Sequence, residues 1–312
     1  MEEENILRSL KGCKYVPKIL NSGRHEDKVN FIVMDLLGEN LSALRRRATN
    51  QTFSLLTTLM LGMQMLRAIK EVHDAGYLHR DIKPGNFVLG TERTNNPRTV
   101  ILIDFGLAKK HLEDDGSVKP KRNSARWVGS RRYMSLNTHL RKEQARRDDL
   151  WSLLYVLLEF LQGTLPWAHF RGGDNLDKVR DMKMQYNNEK LVRGLPEEFM
   201  KFMNHLKTLK YETRPDYDLL HGLLKTLFER NGGSNTTPFD WESAEQVSQN
   251  NLAMDSLDEV SGSEKKHSAS GDISGSENSS ASAPKEKTDK AKPSPSTSEV
   301  EKNTKTRRCT IL

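Results

Sequence analysis

The chain has 312 residues, of which 35% are hydrophobic, and a formal charge of +7. That apolar share is low for a chain folded throughout, so part of it is expected to stay unfolded. Two cysteines, Cys13 and Cys309, exclude a disulfide framework or a thiolate metal cage and suit a reducing compartment.

No apolar run reaches the roughly 20 residues of a membrane span, and the N-terminus shows no signal-peptide pattern, so a soluble cytoplasmic protein is expected unless lipid is added. In chain order, Phe31-Ile32-Val33-Met34 reads as a buried strand. Leu56, Leu59, Met60, Met63, Leu66 and Ile69 recur with helical spacing, which predicts an amphipathic helix from Phe53 to Val72 ending before Ala75-Gly76. Asn86 to Leu89 and Val100 to Ile103 read as β-runs joined through Asn95-Asn96-Pro97, a hairpin-turn signal. Antiparallel pairing of these runs sets the residues ahead of the first beside those behind the second. Leu150 to Leu161 is apolar on nearly every face yet too short for a bilayer, so it is expected as a helix inside a core. Leu165-Pro166-Trp167, Phe199 to Leu209 and Tyr217 to Phe228 predict a mainly helical remainder.

From Ala244 aromatic residues vanish, Ser, Lys, Glu and Pro dominate, and no apolar period survives, so a disordered tail is expected to about Lys305. Acids outnumber bases between Ala244 and Glu301, so the excess positive charge belongs to the earlier part and favours anionic partners.

The chemistry concentrates in His79-Arg80-Asp81-Ile82-Lys83-Pro84-Gly85-Asn86 and, behind the hairpin, Asp104-Phe105-Gly106. A lone His-Arg-Asp tripeptide is more often an ordinary surface loop. The run of eight positions with Asp-Phe-Gly behind it resembles the catalytic loop and metal-binding triplet of protein kinases. Phosphoryl transfer needs cations against the nucleotide phosphates and a carboxylate that orients the incoming hydroxyl and takes its proton. The resemblance implies Asp81 as catalytic base, Asp104 as principal magnesium ligand, Asn86 as second metal ligand and Lys83 as the group steadying the γ-phosphate. ATP and Mg2+ would be the cofactors and Ser/Thr side chains of proteins the acceptors, because lysine two places after the base follows the serine/threonine pattern. His79 and Phe105 would belong to an apolar spine, away from substrate.

Further motifs narrow the family. Gly129-Ser-Arg-Arg-Tyr-Met-Ser-Leu-Asn137, Arg146-Arg-Asp-Asp-Leu-Trp-Ser152, Leu165-Pro-Trp167, Arg214-Pro-Asp-Tyr217 and Phe239-Asp-Trp241 resemble landmarks of the casein kinase 1 superfamily. Ser135-Leu136-Asn137 stands where most kinases carry Ala-Pro-Glu, and Trp151 in Asp-Leu-Trp-Ser-Leu looks like the tau-tubulin kinase branch. The resemblance runs from Met1 to Trp241. It implies an α+β, bilobal protein kinase fold with an incomplete small lobe of one helix and two strands and a mainly helical large lobe, followed by a disordered C-terminal tail. Residues 1–37 would be the partial small lobe, 38–243 the large lobe and 244–312 the tail.

By the same resemblance Glu3 would pair with the ATP-binding lysine and Met34 would be the gatekeeper. The backbone of Asp35 and Leu37 would read adenine, with Val88 as the floor beneath the ring. Asp149 is expected to start the buried helix and to accept amide protons of the catalytic loop, a structural role favoured at a helix N-terminus. Arg214 lacks its usual glutamate, which leaves its partner open.

No glycine-rich loop or strand lysine stands before Glu3, so an N-terminally truncated kinase is expected, with exposed apolar faces on the first helix and on the Phe31 strand. Three readings follow: a fragment of a true kinase, a short decoy isoform, or a pseudokinase serving as a binding module.

Arg122, Arg126, Arg131 and Arg132 fall near the peptide groove of related kinases and suggest acidic or primed protein substrates, against the alternative of solvated surface charge. Nucleic acid is not expected, because no basic face interleaved with aromatics is visible, and a monomeric kinase domain is. Cys309-Thr310-Ile311-Leu312 fits a prenylation signal of the geranylgeranyl type, with Lys302, Lys305, Arg307 and Arg308 as the electrostatic second signal for a membrane anchor. The alternative is a chance cysteine near the terminus.

Overall fold

The computed structural model describes residues 2–26, 28–94, 97–170 and 175–243. Asn95-Asn96, the tail from Ala244 and Cys309 lie outside the described residues.

The chain opens with α1 (Glu2–Ser9), followed by β1 (Ile19–His25) and β2 (Val29–Met34). The two strands pair antiparallel from Ile19↔Met34 to His25↔Val29, with an irregularity between Ile19 and Asn21. The strand at Phe31 exists but is not buried: Val29, Phe31 and Val33 are exposed, and only Ile32 and Met34 are half-buried. Successive side chains of a strand point to opposite faces, so a sheet of two strands covered on one side leaves every second residue in solvent. The first helix departs from expectation the other way, because Ile6, Leu7 and Leu10 join the main core.

The larger part is helical. Asn40 caps α2 (Leu41–Arg47) by accepting from the Ala43 amide, and Ser54 caps α3 (Leu55–Asp74) at Thr57. The predicted amphipathic helix is therefore present, shifted two residues because Ser54 supplies the oxygen that satisfies its first turn. Phe239-Asp240-Trp241 explains itself here. Asp240 accepts from the Ser54 amide at 2.7 Å and the Thr57 hydroxyl at 2.9 Å, and Trp241 stacks on Phe239 and leans on Phe53. The end of the domain thus closes the start of α3.

The core helix is α5 (Arg146–Gln162), buried from Leu150 to Phe160. It approaches α3 closely at Gly62, where an added Cβ would meet Leu157 at 3.0 Å. Asp148, not Asp149, caps it by accepting from the Ala145 amide at 2.8 Å. The helices α6 (Leu176–Gln185), α7 (Glu197–Thr208) and α8 (Tyr217–Arg230) complete the lobe, and α4 (Leu136–His139) is a single turn begun by Ser135. Leu165-Pro166-Trp167 is a turn and not a helix. No helix among the described residues is long and apolar enough to cross a membrane.

Two small antiparallel ladders interrupt the helices and build the site. β3 (Tyr77–Leu78) pairs with β6 (Lys109–Lys110), and β4 (Phe87–Leu89) pairs with β5 (Val100–Leu102) in the register Phe87↔Leu102. The predicted hairpin pairing is present, with a helical turn at Glu92–Thr94 inside its connection.

Candidate active site

The β4–β5 ladder ends where the two motifs meet. The Ile103 amide donates to the Asn86 carbonyl at 2.9 Å, which sets Asp104, the next residue, beside the end of the catalytic loop. A second tie comes from His79, whose Nε2 lies 3.0 Å from the Ile103 carbonyl. A carbonyl only accepts, so Nε2 carries the proton, and Nδ1 is free to accept from the Asp81 amide at 3.3 Å. Burial keeps this ring neutral, holding its pKa below the ordinary histidine value against the pull of Asp149, the Ile103 carbonyl, Asp81 and Asp104. Phe105 lies edge-on to it with ring centroids 5.0 Å apart, so His79 and Phe105 form the expected packed pair.

The Asp81 carboxylate is held at both oxygens. Oδ1 accepts from the Ser130 amide at 2.8 Å and Oδ2 from Lys83 Nζ at 2.5 Å. Asn86 Nδ2 donates to the Asp81 carbonyl at 2.9 Å. Burial pushes the Asp81 pKa up, but the hydrogen bonds from Lys83 and Ser130 outweigh it and hold the group below the usual aspartate value. Asp81 is therefore an anion with fixed direction at neutral pH.

Asp149 sets the loop that carries it. Its Oδ2 accepts from the His79 amide at 2.8 Å and lies 3.0 Å from His73 Nε2, and its Oδ1 accepts from the Arg80 amide at 2.9 Å. Burial alone would raise its pKa; the His73 hydrogen bond and charge bring it below the ordinary value. Arg80 has φ 67° and Asp104 has φ 68°, left-handed conformations that cost a non-glycine residue on the order of 1 kcal/mol each. The two Asp149 bonds hold Arg80 in that state, and Arg80 Nε donates to the Leu107 carbonyl at 2.7 Å, tying the loop to the segment after Asp104.

A family model, the protein kinase domain, matches residues 1–225. The chain belongs to the protein kinase family. As a protein kinase it is expected to use ATP and Mg2+, and the oxygen donors fit that cation: a carboxylate at Asp104 and a side-chain amide oxygen at Asn86 are hard ligands of the kind magnesium takes. Among the described residues no group of three or more His, Cys, Asp and Glu gathers to hold a metal. The kinase is 48% identical over 240 residues to a protein of Dictyostelium discoideum described as a probable serine/threonine-protein kinase, across 77% of this chain and 48% of the relative. The chain thus spans about half the length of that curated relative.

The other residues expected at the kinase site are distributed as follows. Glu3 Oε1 accepts from the Phe105 amide at 3.0 Å, which anchors α1 to the triplet. Met34 ends β2, half-buried opposite Ile19. The Asp35 amide faces the Lys18 carbonyl at 3.4 Å, and just beyond Leu37 the Gly38 amide donates to the Leu89 carbonyl at 2.8 Å. Val88 is buried and bridges to Asn40, which joins β4 to the segment after Leu37.

The four arginines have separate surroundings. Arg131 and Arg132 line a cavity of about 440 Å³ with Ser130, Trp167 and Phe170, and Arg126 is exposed. The Arg132 guanidinium turns onto the buried Glu159 at 2.9 Å, where the Tyr133 hydroxyl also donates at 2.6 Å. Arg122 grips Glu143 with bonds of 2.5 and 3.0 Å, beside Lys109 on the same carboxylate at 2.7 Å. Arg214 finds Asp74 at 2.6 Å in place of the absent glutamate and covers the Tyr217 ring.

Sequence reasoning placed Gly129 and Ser130 in a family landmark but gave no role to either; Ser130 acts through its backbone amide on Asp81. Lys183 was missed as well. It is fully buried on α6, donates to the Arg131 and Met134 carbonyls at 3.0 and 2.5 Å, and lies over the Tyr155 and Trp167 rings. Its one signal is a lysine four residues after Val179 on the inward face of an amphipathic helix.

Proposed function

We propose that this protein transfers the γ-phosphoryl group of ATP to serine or threonine hydroxyls of proteins, with Asp81 as the base. The single observation that carries the reading is the Asp81 carboxylate, ionised and fixed by Ser130 and Lys83. Asp81 orients the acceptor hydroxyl and receives its proton as the oxygen attacks phosphorus. Lys83 supplies positive charge beside the transferred group. Asp104 and the amide oxygen of Asn86 would hold magnesium, which neutralises phosphate charge when bound. His79 and Glu3 keep the Asp-Phe-Gly backbone at its place, and Met34, Asp35, Leu37 and Val88 would surround the adenine.

Arg126 and Arg131 support a preference for acidic or already phosphorylated substrates, since guanidinium groups near the acceptor favour anions. The landmarks from Gly129 to Trp241 support a place beside the casein kinase 1 and tau-tubulin kinases. The terminal Cys309-Thr310-Ile311-Leu312 supports geranylgeranylation and attachment of a cytoplasmic enzyme to an anionic membrane.

The test is Asp81→Asn in the full chain, assayed with radiolabelled ATP on a mixed serine/threonine peptide and by nucleotide titration. Phosphoryl transfer should fall at least about a hundredfold, the usual contribution of a positioned base, while nucleotide affinity stays within a factor of about two. Retained turnover in the asparagine variant refutes the assignment.

A further inference from the structure

Lys183, on α6, is 1% exposed, and its nitrogen is surrounded by backbone and rings. Nζ donates to the Arg131 carbonyl at 3.0 Å and to the Met134 carbonyl at 2.5 Å, and it lies 4.9 and 5.0 Å from the ring centroids of Tyr155 and Trp167. Burial holds its pKa well below the ordinary lysine value. A methionine would fill the same space against the two rings without burying a polar group. What the lysine adds is N–H donors, and both donations go to one turn. That turn closes at Ser130, whose carbonyl accepts from the Tyr133 and Met134 amides at 2.9 and 2.8 Å. Its middle is held as well, by Trp167 Nε1 donating to the Arg132 carbonyl at 2.7 Å.

Ser130 opens the turn and also meets the base, because its amide donates to Asp81 Oδ1 at 2.8 Å. A turn that shifts carries this amide with it. We propose that Lys183 is a positioning residue for phosphoryl transfer, which clamps the turn from Ser130 to Met134 so that the Ser130 amide stays on Asp81. The inference rests on Asp81 being the base. Without Lys183 the Arg131 and Met134 carbonyls lose their buried donor, and the turn opens to satisfy them elsewhere. Lys83 remains on Oδ2, so Asp81 loses its direction before it loses its charge.

The experiment compares the full chain with Lys183→Met and with Leu224→Ala, a core change in α8 against Gly62 that removes stability and leaves the donors to the turn in place. Hydrogen exchange at the Ser130 amide is read by residue-resolved mass spectrometry, with each variant held at the same margin below its melting temperature. Turnover is measured on the mixed serine/threonine peptide with saturating ATP and magnesium, and nucleotide affinity by titration. Lys183→Met should speed Ser130 exchange at least about tenfold over the Leu224→Ala control. It should lower kcat about tenfold to a hundredfold, with nucleotide affinity within a factor of about two. Lys183→Gln keeps N–H donors on a side chain one atom shorter and should fall between Lys183→Met and the unaltered chain; it replaces Lys183→Met should that variant fail to fold. Ser130 exchange no faster than in Leu224→Ala overturns the proposal. Faster exchange with unchanged kcat overturns it too when Asp81→Asn is inactive. If Asp81→Asn turns over, the base assignment fails instead, and the exchange result alone decides the clamp.

Discussion

Gly129→Ala is the sharpest perturbation of the site, because the side chain it adds meets backbone and nothing that can swing away. Gly129 has φ +103°, and an added Cβ would lie 2.4 Å from the Arg80 carbonyl oxygen. Ordinary contact between such atoms is about 3.4 Å, so the loop or the Gly129 segment must separate by on the order of 1 Å. The positive φ costs a further 1–3 kcal/mol, roughly, for a residue with a side chain. Together these give a destabilisation of about 2–4 kcal/mol, or about 5–10 °C in melting temperature for a domain of this size. The same displacement pulls the Ser130 amide from Asp81, and a shift of about 1 Å at a reacting group lowers kcat about a hundredfold. Calorimetry and steady-state kinetics should show both losses with KM for ATP nearly unchanged. Gly116→Ala is the control, since Gly116 also has positive φ but no atom within 4 Å of the added Cβ. It should cost about 1 kcal/mol and leave kcat intact. Equal kcat for Gly129→Ala and Gly116→Ala would refute the argument.

Mild acid should weaken the fold through two buried histidines. Burial, reinforced by the Arg146 charge, lowers the His111 pKa to about 4, and burial with the Lys183 charge lowers that of His139 to about 3. The unfolded chain takes up protons near pH 6.5 and the folded one does not, so stability is full above 6.5 and falls as pH drops toward the folded values. Between pH 7.5 and 5.5 the two should together remove at most about 3 kcal/mol. A melting temperature flat across that range speaks against both assignments. The carboxylates held low at Asp81 and Asp149 act only below their ordinary values near pH 4 and do not enter this window. For the terminus, Cys309→Ser should release geranylgeranyltransferase-treated protein from anionic vesicles, and unchanged partitioning would discard the lipid anchor.

What could be read ahead of the structure was what depends on local pattern. The α3 and α5 helices, the β4–β5 pairing and the joining of the two kinase motifs follow from spacing and side-chain type alone. The buried strand at Phe31 failed because an apolar run of that length carries no record of whether its second face is covered, and here Phe31 and Val33 face solvent. Asp149 was legible as the residue at the start of α5 that holds the His79 and Arg80 amides, whereas its neighbour Asp148, which caps the helix at the Ala145 amide, was not, since adjacent carboxylates at a helix start differ only in direction. Gly129 and Ser130 were visible as the start of a motif, but what they do was not, because they act through a missing Cβ and a backbone amide, neither of which side-chain chemistry reveals. The arginines looked like one basic cluster, whereas Glu143 and Glu159, remote in sequence, divide them.

The two acidic groups of the site are held by different means, and the difference suits the tasks proposed for them. Asp104 is placed by backbone: the β4–β5 register, the Ile103 carbonyl under His79 and the Glu3 carboxylate on the next amide. As the proposed metal ligand, Asp104 needs above all a fixed position. Asp81 needs a fixed direction and a stable charge before any substrate arrives, and so it carries Ser130 and Lys83 on its own oxygens, with Asp149 anchoring the loop behind it. Both supports converge on His79, neutral through burial and bonded at one nitrogen to the strand leading to Asp104 and at the other to the Asp81 amide. A protonated ring would lose the second bond, since Nδ1 could no longer accept. The neutrality of a residue that never meets substrate is thus part of what keeps the two carboxylates in a common frame.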